Sequence, residues 1–430
     1  MDQKKFVVIG LGGYGLVHIN AVRWLERQGM GKLVGVVALE VDRAARPDLV
    51  ESLKSGGVTL YESVEDFMNT GVRTTDILTV PVGIHQHVPI SIEAMKAGLD
   101  VYCEKPAAAT VQEVDALIGA QKATHKTVTI GFQHIYSNSI QRLKRLICDG
   151  ALGHVHSVSL LCGWPRSLQY YARNDWTGKM RLRDSWLLDS PANNANAHYV
   201  LNALYLCSPA PQCAGVPEVV RAELYRANAI ESADTVQFRF VTGEGTRGHI
   251  LLTHANRREV GPLMKLECET GTVYWQSDNG NTCIRFKGGK VEGFDNVTHP
   301  EWRYDPFKDL VEALHEGREP LCTPLLARSQ TLAVNLMHES CPRITSIPDA
   351  FVEHAEDWEI FPPNTKGNFR RIKDLDEQMT VAFLEGEFLS ALGVPWATSS
   401  GTKEVFGEGY TRFPQHSRAE DFLSPTSGPA

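Results

Sequence analysis

Phe6-Val7-Val8-Ile9-Gly10-Leu11-Gly12-Gly13-Tyr14-Gly15 decides how this chain begins to fold. The four apolar residues show no polar alternation, the pattern of a strand buried on both faces. A glycine-rich turn follows at once, and Val17 to Arg27 then has helical spacing. G-x-G-x-x-G set between a strand and a helix is what a dinucleotide-binding turn requires. Gly10 permits the sharp turn, Gly12 lets a pyrophosphate approach the backbone, and Gly15 lets helix and strand pack closely. Gly13 and Tyr14 complete the turn, where the helix start offers unpaired N–H groups and a partial positive charge.

Outward from this turn, strand and helix signals alternate. Strands are expected at Lys32–Ala38, Val58–Tyr61, Asp76–Val80, Val101–Cys103 and Thr127–Ile130, with helices at Pro89–Ala97 and Val111–Ala123. Such alternation implies an α/β fold with a parallel, doubly wound sheet, a Rossmann domain over residues 1–133. Beyond Ile140 short alternating strands joined by glycine turns predict an α+β domain with an open, mostly antiparallel sheet, residues 134–346. Helices are expected at Asn194–Leu206, Asp305–Glu316 and Leu325–Glu339, the last with Asn335, His338 and Glu339 on its surface. Residues 347–430 read as a partly irregular extension with one helix, Met379–Leu392, and a Gly/Ser/Pro/Thr-rich end that wraps or dangles.

Composition narrows the function. A length of 430 residues suits two domains with an extension, and 43% hydrophobic with 22% charged residues is ordinary for a globular chain. A net charge of −8 argues against a general nucleic-acid or membrane-surface binder. No apolar run reaches the ~20 residues of a membrane span, and the N-terminus lacks a secretory h-region. Nine cysteines without a C-x-x-C pair predict reduced thiols and a cytoplasmic protein. Fifteen histidines without clustered ligand spacing give no reason to expect a metal.

The second strand should end in an acid for the ribose hydroxyls. Glu40 lies 25 residues after Gly15 and is the nearest candidate beside Asp42, while Arg43 and Arg46 could instead hold a 2′-phosphate. NAD through Glu40 is the expected cofactor, with NADP through the arginines as the alternative. The strand Val101-Tyr102-Cys103 runs into Glu104-Lys105-Pro106. Strand ends of such a sheet face the ligand crevice, so Lys105 is placed toward a nicotinamide, where a lysine can hold a substrate hydroxyl or shuttle its proton.

The glycine turn, Pro81 with His85, Glu104-Lys105-Pro106, Gly131-Phe132 and Gly150-Ala151-Leu152-Gly153, in this order, resemble the Gfo/Idh/MocA oxidoreductase family. The resemblance runs from about Phe6 to Val158 and resumes near Pro306 to Pro342. It implies a nicotinamide-binding Rossmann domain, sugar or polyol substrates, and a second domain whose open sheet mediates a homo-oligomer, a dimer or tetramer. It further implies a catalytic role for Lys105, with Pro81, His85 and Glu104 lining the nicotinamide side.

The family's second catalytic pair, an aspartate and a histidine four residues later, falls on Asn194 and His198. On a helix that spacing puts both side chains on one face. Asn in place of Asp can position a hydroxyl but cannot accept a proton, so His198 becomes the expected base. Asp189, nine residues before His198, lies two and a half turns away on the same helical reading. Gln133, His134 and Tyr136 reach the substrate by the same resemblance. Trp164, Arg166, Tyr170, Tyr171, Arg173 and Trp176 form an aromatic–arginine stretch that suits a sugar, with packing or an interface as the alternative use.

These residues predict hydride transfer from a ring carbon of a sugar or cyclic polyol. A redox-neutral, NAD-dependent glycoside-cleaving enzyme of the same family type is the first alternative, and a non-catalytic sugar or nucleotide sensor the second.

Overall fold

The computed structural model describes residues 2–297, 299–360 and 365–422. These form two compact units, the first made of residues 2–108, 112–136 and 299–328. Its chain runs β1 (Lys4–Ile9), α1 (Tyr14–Arg27), β2 (Gly31–Val37), α2 (Glu40–Ala45), α3 (Pro47–Ser55), β3 (Thr59–Tyr61), α4 (Val64–Thr70), β4 (Ile77–Val80), α5 (Ile84–Lys96), β5 (Asp100–Cys103), α6 (Val111–Thr124) and β6 (Val128–Ile130). Among the described residues, the sheet has the order β3-β2-β1-β4-β5-β6, and its pairings are parallel. The order reverses between β1 and β4, which is where a doubly wound sheet takes its ligand.

Two features of this unit differ from the sequence expectation. Helix α5 begins at Ile84 rather than Pro89, with Pro89 inside it. The buried stripe Ile84, Val88, Ser91 and Met95 outweighs the one backbone bond the proline forfeits. The helix Asp305–Glu316, expected in the second domain, packs in the first unit. Phe307, Leu310 and Val311 join the core of Phe6, Val8, Ile19 and Leu25, and Phe307 stacks on Tyr102 with centroids 3.8 Å apart.

The second unit comprises residues 109–111, 137–297 and 329–422 of the described chain. It contains α7 (Asn138–Cys148), β7 (Val155–Gly163), α8 (Leu168–Tyr171), β8 (Arg181–Leu182), β9 (Ser185–Trp186), α9 (Ala197–Leu206), β10 (Pro217–Arg226), β11 (Thr235–Thr242), β12 (Arg247–Thr253), β13 (Val260–Cys268), β14 (Gly271–Gln276), β15 (Asn281–Phe286) and β16 (Val291–Asp295). After the first unit's helix at 305–316 (α10) come α11 (Pro324–Ser340), β17 (Thr345–Ser346), β18 (Val352–Ile360), β19 (Thr365–Ile372), α12 (Leu375–Glu385) and β20 (Val405–Phe406). The sheet order is β16-β15-β14-β13-β7-β12-β11-β10-β17, with β20 also paired to β10. Only β7–β12 and β10–β17 pair in parallel. The strands β15 and β16 and the hairpin β18–β19 were not marked in the sequence, and α12 stops at Gly386, whose φ of 69° ends it in the left-handed region.

The extension is built into this unit. Leu375, Met379, Ala382, Leu389 and Trp396 pack on Leu161, Tyr225 and Leu251 of the sheet. Gln237 donates to the Glu387 carbonyl (2.7 Å) and accepts from Leu389 N (2.9 Å). Asn335, His338 and Glu339, placed on a helix surface by their spacing, are fully buried. One carboxylate oxygen of Glu339 accepts from the Tyr410 hydroxyl (3.1 Å), Gln415 N (2.5 Å) and His416 N (3.0 Å). The late segment therefore wraps, because it supplies the donors that a buried carboxylate needs. No helix among the described residues is long and apolar enough to cross a membrane.

Candidate active site

The glycine turn has the geometry its sequence implies. Gly10 has φ +90°, a conformation a side chain resists. A Cβ on Gly12 would meet nothing within 4 Å, so its backbone stands open to a ligand. A Cβ on Gly15 would lie 2.4 Å from the Gly10 carbonyl oxygen, so helix and turn touch there. Helix α1 starts with neither a side-chain cap nor an acid in its first turn, so its positive end faces no competing carboxylate of its own. These residues fit a bound dinucleotide.

At the ribose end, Glu40 is exposed and opens α2. Arg43 lies 3.8 Å from the exposed Glu62 carboxylate, a contact of little strength, and Arg46 is exposed between α2 and α3. NAD through Glu40 stays the expectation. Paired dissociation constants should show NAD bound more tightly than NADP, Glu40→Ala eroding the preference and Arg43→Ala leaving it intact. Tighter NADP binding, lost in Arg43→Ala, would reverse the assignment.

Helical and strand packing fix the Glu104–Lys105 segment at the end of β5. Glu104 is buried, with one carboxylate oxygen 3.0 Å from His18 Nε2 and the other accepting from Lys105 N at 3.0 Å. Gly131 leaves room for that carboxylate, since a Cβ there would approach Glu104 Oε1 to 2.9 Å. His18 is itself held edge-on by Tyr102 and Phe307. Lys105 and Pro81 are half-buried.

His85 sits half-buried in the first turn of α5, and His87 bonds the backbone of the lysine segment. Its Nδ1 lies 2.8 Å from the Pro106 carbonyl and its Nε2 3.1 Å from that of Val82. Burial holds its pKa below the ordinary histidine value, so the ring carries one N–H and donates to one carbonyl at a time. Position 87 is three residues after Ile84 and four before Ser91, so the helical period alone would have put it on the buried face.

The turn Gln133–Tyr136 follows β6. Gln133 and His134 are buried, and His134 meets Trp302 edge-on at 5.1 Å. The Tyr136 hydroxyl donates to Asp309 (2.9 Å) and accepts from Cys322 N (3.3 Å). Burial, then the Asp309 carboxylate, push its pKa well above the ordinary tyrosine value. That hydroxyl is committed inside the first unit.

In the second unit the helical reading of Asn194 and His198 is corrected. Residues 191–196 are turns, and α9 starts only at Ala197. Asparagine side chains cause this, because they bond groups outside a helix and compete with its formation. Asn193 donates to the Leu187 carbonyl (3.0 Å), Asn194 to Asp189 (2.8 Å) and Asn196 to Cys162 Sγ (3.0 Å). The i, i+4 argument thus loses its helix at Asn194, and Asp189, which a continuous helix would have kept two and a half turns from His198, lies in a loop beside Asn194. Its other carboxylate oxygen accepts from Gly178 N at 2.6 Å. His198 is buried in the first turn of α9.

The aromatic–arginine stretch forms a ladder. The Arg166 guanidinium lies 5.0 Å over Tyr170 and 5.8 Å from Trp164; that of Arg173 lies 3.9 Å over Tyr170 and 5.8 Å from Trp176. Such contacts hold a charged plane against an aromatic face. Trp164 also meets Tyr199 edge-on at 5.6 Å. A narrow cleft with room for about one water-sized group is lined by Tyr170, Tyr171, Asp189, Ser190, Asn194 and His254. Asp189 and His254 were not singled out for the site by the sequence, and no motif marks them.

Residues 4–132 match the model of the oxidoreductase family with an NAD-binding Rossmann fold, Gfo/Idh/MocA. Over that stretch the chain is similar to the NAD-binding Rossmann domain of the Gfo/Idh/MocA oxidoreductases. Inositol 2-dehydrogenase of Azotobacter vinelandii is 29% identical over 198 residues, 45% of this chain and 54% of that protein. Inositol 2-dehydrogenase 3 of Saccharopolyspora erythraea is 28% identical over 149 residues, 34% of this chain and 42% of that protein. The matched stretch thus spans about half or less of these curated relatives. The WlbA dehydrogenase from Bordetella pertussis, solved with NADH and UDP-GlcNAcA, superposes with a TM-score of 0.65 at 20% identity, covering 79% of this chain and 97% of that one. Aldose–aldose oxidoreductase from Caulobacter crescentus gives 0.64 at 19% identity, covering 79% and 98%. At that identity the likeness is one of fold. The first unit has the parallel sheet order of a Rossmann fold and carries the stretch that matches the family's NAD-binding domain.

Proposed function

We propose that the chain is an NAD-dependent oxidoreductase acting on a ring hydroxyl of a sugar or cyclic polyol. The observation that carries this reading is the position of Lys105. It follows the buried Glu104 at the end of β5, on the same edge of a parallel sheet as the open glycine turn. The inositol 2-dehydrogenases that this chain matches in part support the substrate class.

A bound nicotinamide supplies the hydride acceptor. Lys105 Nζ holds the substrate hydroxyl, and the Glu104 and His87 bonds keep its backbone in place for that task. His198 takes the hydroxyl proton. Asn194 orients substrate without carrying charge, and the carboxylate behind it is that of Asp189.

Cofactor stoichiometry tests the reading. With a free sugar or polyol, absorbance at 340 nm should rise in step with product. Glycoside cleavage with catalytic cofactor and no accumulated NADH would replace the dehydrogenase by the redox-neutral enzyme.

A further inference from the structure

His254 directly follows β12 and lines the cleft with Asp189, Asn194, Tyr170 and Tyr171. Its Nδ1 lies 2.8 Å from the Trp164 carbonyl oxygen. A carbonyl can only accept, so Nδ1 carries the ring proton and Nε2 is left as an acceptor. Burial first, and then the Arg166 guanidinium, hold its pKa well below the ordinary histidine value. The ring therefore stays neutral, with its tautomer set by the backbone.

The cleft's size and its acceptor restrict what it can take. It has room for about one water-sized group, far less than a whole ligand needs. It admits a substituent, with the ring of the ligand outside. Arg166 and Arg173 act on His254 while Asp189 lines the cleft, so selection rests on the imidazole lone pair, to which a hydroxyl donates and a carboxylate or phosphate cannot. Tyr170 and Tyr171 supply apolar walls.

We propose that Nε2 of His254 accepts a hydrogen bond from a substrate hydroxyl other than the one oxidised, making His254 a specificity residue. This rests on the sugar or polyol reading above and adds the group that selects among such substrates. A ligand with hydrogen, fluorine or a carboxylate at that position leaves a buried acceptor without its donor, and discrimination comes from that loss.

The test uses the full chain with myo-inositol and D-glucose, each compared with its monodeoxyfluoro series. In the wild type, kcat/KM should fall about tenfold or more at one ring position besides the oxidised one. In His254→Phe the parent should lose a similar factor, and that position alone should become indifferent to fluorine. His254→Gln, whose side-chain oxygen still accepts, should recover part of the penalty, and NADH affinity should be unchanged in both variants.

If His254→Phe keeps the wild-type profile at every position, the assignment is overturned while the oxidoreductase reading stands. If the wild type turns over neither parent, that reading falls and takes the assignment with it. Should His254→Phe not fold, the ¹⁵N resonance of Nε2 in the wild type decides. It should move when the parent is added and stay when the analogue lacking the hydroxyl is added; movement with neither overturns the proposal.

Discussion

Lys105→Met is expected to lower kcat by about 100-fold or more, the range for loss of a positioned acid–base group, with NADH affinity unchanged. Methionine keeps the length and apolar stem of the side chain and removes only its charge and donors. The segment itself should hold, because its anchors are Glu104 to Lys105 N and His87 to the Pro106 carbonyl. His198→Ala should cost a similar factor if it takes the hydroxyl proton. Rapid mixing with NAD under saturating substrate, together with NADH fluorescence titration, separates chemistry from binding. Near-wild-type kcat in both variants would remove the proposed mechanism. Asn194→Asp is informative beside them. From sequence it could aid His198 by adding charge, but the 2.8 Å bond to Asp189 sets two carboxylates against each other. One must then bind a proton or move away, so this variant should lose activity and melt at a lower temperature.

Two glycine substitutions, three residues apart in one turn, should fail in opposite ways. Gly12→Val adds its side chain where a Cβ meets nothing within 4 Å, so the melting temperature should barely change. The same side chain occupies the space a pyrophosphate needs, and NADH affinity should fall about 100-fold or more, as a few kcal/mol of backbone contacts are lost. Gly15→Val instead drives a Cβ to 2.4 Å from the Gly10 carbonyl oxygen, a backbone atom with nowhere to go. It should destabilise the first unit by about 3 kcal/mol or more, in the range of severe overpacking. Thermal melts and NADH titrations on the two variants give the contrast. Equal loss of stability in both would mean that the turn has a purely structural role.

The sequence by itself determined the first unit's sheet and its cofactor turn. Both rest on local patterns: apolar runs such as Phe6–Ile9, glycines at fixed spacing, and helical periods between them. The contacts that make Gly10, Gly12 and Gly15 necessary lie within one strand–turn–helix, so their identity is written in adjacent residues. Lys105 and Glu104 were legible for the same reason, since a strand end in a parallel sheet has one direction to face.

What the tertiary structure decided concerns contacts between residues distant in sequence or bonds that override periodicity. Apolar spacing places Phe307 and Leu310 on a helix face without saying which core receives it, and the fold gives that face to the first unit. Polar residues at helical spacing look like surface until a partner appears; Glu339 is buried because Tyr410, Gln415 and His416 return some seventy residues later to bond it. Asn193, Asn194 and Asn196 sit in an apparently helical stretch, yet their side chains bond outward and hold it as turns, which brings Asp189 to Asn194. His254 carries no motif. Only the Trp164 carbonyl, ninety residues away, fixes its tautomer and turns a buried histidine into an acceptor. Short-range pattern specifies elements and turns because their energetics are local, whereas a side chain's protonation and partners depend on what folding brings against it.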